Sequence, residues 1–245
     1  MNNKIAITAE KNEAFFEMSG GISTYGGNQD WFSSAGLFGR KTSARMANTG
    51  CGSISAANII YHIAQNTSYG KGMLPKNIPT KQDFCKLAAQ MYFIHTPQTM
   101  TLHYSPSTAL SLGVWYVETI VRGVVHFSAS RGVRLRGYSC NTRNSSQEEA
   151  ASFIRTGLSA NSPVVLLVYF NTYIRALGLK YMSEMHFVVI TGIVSYQDEV
   201  GEDWQLIISN HGMRQVIPSL RRLWNANGLY IMPKASLSFA AKMKN

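Results

Sequence analysis

A chain of 245 residues, 45% hydrophobic and only 15% charged, is long and apolar enough to bury a substantial core, which excludes a disordered or low-complexity protein. Its three cysteines, at 51, 85 and 140, are too few and too scattered for a disulfide framework or for the paired spacing of a zinc site, so no metal or other cofactor is expected and a reducing compartment suits them. The formal charge of +10 is concentrated in the middle: residues 51–145 hold nine Lys or Arg against two acidic residues, with Arg131, Arg134, Arg136 and Arg143 among them.

That basic excess attracts nucleic acid, anionic polymers or acidic peptides, or else forms a solvated face that keeps the protein soluble. No nucleic-acid-binding motif accompanies it, which favours the solvated face. The longest apolar stretch, Ala109 to Phe127, is interrupted by Glu118 and Arg122 and argues against a membrane span. Lys4, Glu10, Lys11 and Glu13 break the run that an export signal would need. A cytoplasmic enzyme and one secreted after processing both fit.

In chain order, Ile5–Ile7 reads as an edge strand or a propeptide-like arm, and Glu13 to Met18 as a brief helix closed by Gly20 and Gly21. Tyr25 to Asn48, rich in Gly and Ser with lone aromatics, predicts an ordered irregular loop. Asn48-Thr-Gly-Cys51-Gly then opens a helix whose apolar positions Ile54, Ala57, Tyr61 and Ala64 keep helical spacing to about Asn66. His62, on that helix, reads as a core or surface histidine. Residues 70–80 form a loop, Lys81 to Phe93 a helix with Cys85 packed inside, and Thr96 to Pro106 a polar linker. Ser107 is a plausible cap for a helix running to Ala129.

After Gly132 the pattern changes to strands. Val133 to Ser139 alternates as a half-exposed strand, Ser146 to Leu158 is a capped helix, and Pro163 to Phe170 a buried strand. Met185 to Val194 is a strand beginning at His186, and Trp204 to Asn210 a second strand ending at an asparagine. Gln215 to Trp224 predicts a helix and Gly228 to Pro233 a last strand. Trp204 and Trp224 read as packing residues.

The chemistry points to Cys51. A thiol at a helix start faces unpaired N–H groups and the positive end of the helix dipole, which lower its pKa and make it a nucleophile. A nucleophile needs a base and the base an orienting group, roles that His186 and Asn210 can fill. A buried, inert cysteine is the competing reading. Acyl transfer also builds charge on a carbonyl oxygen, for which a side-chain amide from Gln29 or Asn48 is the candidate donor, with Gln29 preferred. His211 rivals His186, but strand alternation would let only one of Asn210 and His211 face the cleft.

This order, a glycine-flanked cysteine opening a helix, then a histidine on a strand, then an asparagine at the end of the next strand, resembles the papain-like cysteine peptidases. It is most similar to compact bacterial branches related to the bacteriocin-leader peptidases, over residues 25–233, and Gly26 to Phe32 resembles the lead-in to the cysteine helix in clostridial-type members. The resemblance implies an α+β papain-like fold in one domain: an arm and loop over 1–47, a helical lobe over 48–131 and an antiparallel sheet lobe over 132–245. It implies a thiol protease or amidase acting on peptide or protein substrates through a Cys51–His186–Asn210 triad, and a Trp sheltering the His–Asn bond. The family glutamine expected six residues before the cysteine is replaced by Arg45. A cell-wall amidase or acyltransferase on the same fold, and a catalytically silent module binding an anionic partner through the central arginines, are the alternatives.

Overall fold

Val164–Val168, Phe187–Ile190 and Leu206–Ile208 are unbroken apolar runs, and a strand of that kind needs cover on both faces of its sheet. The computed structural model, which describes residues 5–8, 15–33, 38–95, 100–103, 109–112, 117–140, 145–169, 172–180, 185–225, 234–236 and 239–241, provides that cover. The fold is α+β, built on a six-stranded antiparallel sheet. Its strands are β1 (Ile5–Thr8), β5 (Val164–Tyr169), β6 (Met185–Asp198), β7 (Gly201–Asn210), β8 (Met213–Ile217) and β9 (Lys234–Ser236), in the order β8-β7-β6-β5-β9 with β1 also on β6. The long β6 serves two partners along one edge: β5 pairs with it as far as Ile190, and β1 takes over from Gly192 to Ser195.

Helices α1 (Arg40–Thr49), α2 (Cys51–Asn66), α3 (Lys81–Gln90) and α4 (Val117–Ser130) precede most of the sheet, and α5 (Gln147–Ser159), α6 (Thr172–Leu177) and α7 (Leu220–Asn225) are interspersed with it. Two small antiparallel pairs complete the described elements: β2 (Met100–His103) with β3 (Ala109–Leu112), and β4 (Leu135–Gly137) with β10 (Phe239–Ala241). Alternation divides the sheet's side chains between two cores. Val165, Leu167, Phe187, Val189 and Ile207 join α2, α3 and α4, while Val164, Leu166, Val168, Val188, Ile190 and Ile208 join α5 and α7. A register shift between Ile190 and Gly192 inverts the phase of β6, so that Ile193 returns to the second core.

Helix α2 is the centre of the first core. Every residue from Gly52 to Ala64 is buried, and Ile59, Ile60 and Ile63 are fully so, each worth about 2 kcal/mol relative to exposure. Gly50 divides α1 from α2 because a side chain there has no space: a Cβ would lie 2.3 Å from the Met46 carbonyl oxygen. The predicted helix end near Asn66 and the Ser146 cap of α5 are both found, the latter as a capping box in which Ser146 and Glu149 exchange side-chain and backbone bonds. His62 is fully buried, stacked on Phe15 and bonded through Nδ1 to its carbonyl at 3.0 Å, a structural histidine. Cys85 is a core residue. Among the described residues no helix is long and apolar enough to cross a membrane.

Several expected boundaries move. The loop before the cysteine is helical over Arg40–Thr49, where Lys41, Ala44, Arg45 and Met46 are good helix formers that outweigh the scattered Gly and Ser. The helix expected from Ser107 is replaced by the β2–β3 pair and begins only at Val117, since a stretch as short as Ala109-Leu-Ser-Leu112 fits either period and pairing with β2 decides. The helix expected over Gln215–Trp224 is split by Pro218, with Ile217 ending β8 in extended conformation and Ser219 opening α7 through a 3.0 Å bond from the Arg222 N–H. Residues 15–18 are not helical, and the neighbouring Phe15 and Phe16 are both buried. The strand expected over 228–233 lies outside the described residues.

Gly27 shows how tightly the segment before α1 is packed. A Cβ there would meet the Phe84 ring at 1.9–2.6 Å, and that ring is held by Phe16, Tyr61 and Trp31 at centroid distances of 5.5–6.0 Å. Gly27→Ala is expected to destabilise the protein by about 1–3 kcal/mol. A lowered urea midpoint with an unchanged m value is the check.

Candidate active site

Four elements meet at one shallow recess of about 10 Å³, lined by Gln29, Cys51, Ile54, Ser55, Asn58, His186, Phe187, Ser209, Asn210 and His211. Cys51 is the first residue of α2 and half-buried. Beside the thiol, the His186 imidazole and the backbone N–H groups of Phe187 and Gly52, the latter in the helix's first turn, act as hydrogen-bonding groups that favour its thiolate. Burial raises the Cys51 pKa, but these bonds and the charge of His186 outweigh it and hold the thiol below its ordinary value. His186 shows the mirror image. Burial disfavours its cation, and the bond to Cys51, the thiolate charge and the bond to Asn210 outweigh that and hold its pKa above the ordinary value.

The β6–β7 register places the orienting group. Val189 is opposite Ser209, so Asn210 lies on the same face as His186, diagonally across the strand pair. His186 Nε2 is 2.8 Å from Asn210 Oδ1, and since an amide oxygen only accepts, the imidazole donates through Nε2–H. That leaves Nδ1 for Cys51. The Asn210 amide cannot flip without loss, because its Nδ2 donates to the Lys180 carbonyl at 3.1 Å and to Gln215 Oε1 at 3.0 Å. Each group therefore fixes the next: Lys180 and Gln215 hold Asn210, Asn210 holds His186, and His186 faces Cys51.

Of the two amides considered for the oxyanion, the structure brings Gln29 to the recess and not Asn48. Gln29 is 5% exposed in the 3-10 turn Gln29–Phe32; its Nε2 donates to the Ala47 carbonyl at 2.7 Å, and its buried Oε1 has no hydrogen-bond partner among the described residues. Asn48 is exposed because α1 buries Ser43 and Met46, and a residue two positions past Met46 points to the opposite side of the helix. Trp204 and Trp224 pack in the second core and line no part of the recess.

His211 lies in the site together with Asn210, against the expectation that only one of them could. β7 ends at Asn210, and His211 takes a φ of 47°, which breaks the alternation and turns both side chains into the recess. Asn58 was also missed, although the spacing 51, 54, 55, 58 on one helix face marks it. Its Oδ1 accepts the Gly27 N–H at 2.7 Å and so anchors the turn that carries Gln29. The same strap is tied down at Tyr25, whose N–H donates to the Gly212 carbonyl at 2.8 Å, whose carbonyl accepts from Ser209 Oγ at 2.6 Å, and whose hydroxyl is 2.7 Å from that of Thr191.

Among the described residues no group of three or more His, Cys, Asp or Glu side chains could hold a metal ion. Arg131, Arg134 and Arg136 are all exposed, and Arg143 lies outside the described residues. Compared with models of known protein families and with curated proteins, the chain matches none.

The site predicts selective thiol chemistry. Iodoacetamide is expected to modify Cys51 rapidly to well below neutral pH, while buried Cys85, pushed up to about 11, stays inert. His186→Ala should return Cys51 to the behaviour of an ordinary thiol. Mass spectrometry of each cysteine across pH reads both.

Proposed function

We propose that the protein is a papain-like cysteine peptidase or amidase. The observation that carries this reading is that Cys51, at the start of α2, lines one recess with His186 of β6, whose Nε2 lies 2.8 Å from Asn210 Oδ1 of β7. In the resting site His186 and Cys51 form an imidazolium–thiolate pair. The thiolate attacks a peptide or amide carbonyl carbon, and the carbonyl electrons move onto oxygen, where the Cys51 N–H and the second N–H of the Gln29 amide stabilise the charge. His186 gives its proton to the leaving nitrogen as the C–N bond breaks, leaving a thioester on Cys51. Water, deprotonated by the now neutral His186, adds to the thioester, and collapse releases the acid and restores the pair.

Because Cys51 is lowered and His186 raised, the charged pair spans the interval between their two pKa values, and activity should fall as pH drops through the first and as it rises through the second. Cys51→Ala is expected to lower hydrolysis of a peptide library by at least about 10³-fold, and Asn210→Ala by about 10- to 100-fold, because an orienting group is only part of the unit. Product mass spectrometry distinguishes hydrolysis from acyl transfer to an added amine. Undiminished cleavage by Cys51→Ala would overturn the reading.

A second reading, binding of an anionic partner, is favoured by a separate cleft of about 220 Å³ between α3 and α4. Tyr61, Leu74, Leu87 and Phe127 supply apolar walls and Lys76, Lys86 and Arg131 the cations, with Asp83 the acid in its lining. Asp83 is engaged with the Thr80 cap and lies 3.7 Å from Lys76, and Arg131 lies over the Phe127 ring at 5.5 Å. A fluorescein-labelled poly-glutamate peptide carrying one phenylalanine is expected to bind, to weaken steeply as salt rises, and to lose about tenfold in affinity to a Lys86→Glu, Arg131→Glu double variant. Fluorescence anisotropy measures this, and binding indifferent to both salt and variant would exclude the cleft.

A further inference from the structure

The Asp30–His211 pair has no task in the mechanism above, yet its histidine lines the same recess. Its shape is specific. His211 sits in a left-handed conformation that histidine and asparagine adopt more readily than most residues, and this turns its ring back until it lies 5.4 Å from the His186 ring, centroid to centroid. Its Nδ1 is 3.5 Å from Asp30 Oδ1, and its side chain is only 9% exposed. Asp30 follows Gln29 in the 3-10 turn, where Asn28 Oδ1 accepts the Asp30 N–H at 2.8 Å. The titratable groups facing His211 among the described residues are thus Asp30 from the turn, His186 from β6 and Cys51 from the start of α2.

Two imidazoles at this separation do not take up protons independently. The proton on His186 is supported by the thiolate, and a proton on His211 has Asp30 as its support. Burial and the charge of His186 push the His211 pKa down, and Asp30 only partly restores it. His211 therefore takes its proton on the acid side of the ordinary histidine range, and His186 holds its own above it. Resting on the reading of Cys51 as nucleophile, we propose that His211 is a positioning residue: on taking a proton it pins Asp30, and with it the turn carrying Gln29, to the end of β7, and adds a second positive charge to the recess that holds the Cys51 thiolate. The pair extends the working range toward lower pH.

The test is the pH profile of kcat/KM and of Cys51 alkylation in the unmutated protein and in His211→Asn, a substitution that tolerates the left-handed backbone and does not titrate. Without the second charge the acid-side inflection should move up by about one pH unit, so the rate below it falls about tenfold. The alkaline-side inflection, set by His186 losing its proton when His211 is already neutral, should stay in place. Equal loss at every pH with both inflections unmoved is what a purely structural role produces, and it overturns the proposal, as does movement of the alkaline side. A reactive Cys51 whose limbs ignore the substitution sinks this inference alone; a Cys51 that alkylates as an ordinary thiol sinks the nucleophile reading and this inference together. Should His211→Asn fail to fold, carbon-13 NMR of the histidine rings in the unmutated protein decides. Support is a His211 signal titrating below the ordinary histidine range but above the thiolate's inflection. Titration within the ordinary range, or none before the thiolate protonates, overturns it.

Discussion

The site sets side by side two groups, Cys51 and His186, that burial would rather keep neutral. Desolvation acts against the Cys51 thiolate and against the His186 cation, and it is the largest single influence on each. In the proposed function the charged pair prevails because the same exclusion of water that penalises the separate charges strengthens their attraction and every hydrogen bond made to them. Removing any one donor therefore does more than delete a contact, since it returns part of an uncompensated desolvation penalty. The Phe187 and Gly52 N–H groups, and Asn210 with its two anchors, supply this compensation.

The fold provides the rigidity that such a site needs. A sheet covered on both faces cannot let β6 slide against β7 without moving a full set of apolar side chains out of one core and into the other, so the diagonal placement of His186 and Asn210 is held by two cores at once. Helix α2 is equally constrained. It is buried along almost its whole length, and its small first residues Gly52, Ser53, Ser55, Ala56 and Ala57 allow close packing around the nucleophile. The Asp203 carboxylate performs a related function at the far side, accepting from Tyr196, Ser219 and the backbone of Trp204 and Arg221 and so fastening β7 to α7.

Much of this was legible in the sequence where one local signal was strong. Gly50-Cys51-Gly52 followed by helical periodicity marked the start of α2, the Ser146–Glu149 cap marked α5, and continuous apolar runs marked β5 and β7. The misses arose where a local signal was ambiguous or was read past its end. Ala109–Leu112 became a strand by pairing with Met100–His103 across a short connection, whereas Ile5–Ile7, read as an edge strand or an arm, is the strand β1 on β6. At the site, Cys51, His186 and Asn210 could be picked out by residue type, and Gln29 by its chemistry. The exclusion of His211 rested on a strand continuing past Asn210, where a single left-handed residue ended it, and Gly212 in the next position was the available sign of a turn. Asn48 failed because the loop that would have presented it is a helix.

The strap from Thr24 to Asp30 has a consequence for the order in which the molecule assembles. Tyr25 meets Ser209 across 184 residues of sequence, and Thr24 meets Gly212 across 188. Contacts of such span are favoured only after most of the intervening chain is already in place, because closing so long a loop sacrifices entropy before it gains anything. His186, Asn210 and Gln29 thus come together with Cys51 among the last events of folding. A chain still emerging, or one partly unfolded, carries Cys51 on a helix but without the His186, Asn210 and Gln29 side chains that surround it in the recess. Under the proposed function, reactivity is in this way a property of the completed fold, and the nascent chain is chemically quiet toward its neighbours and toward itself.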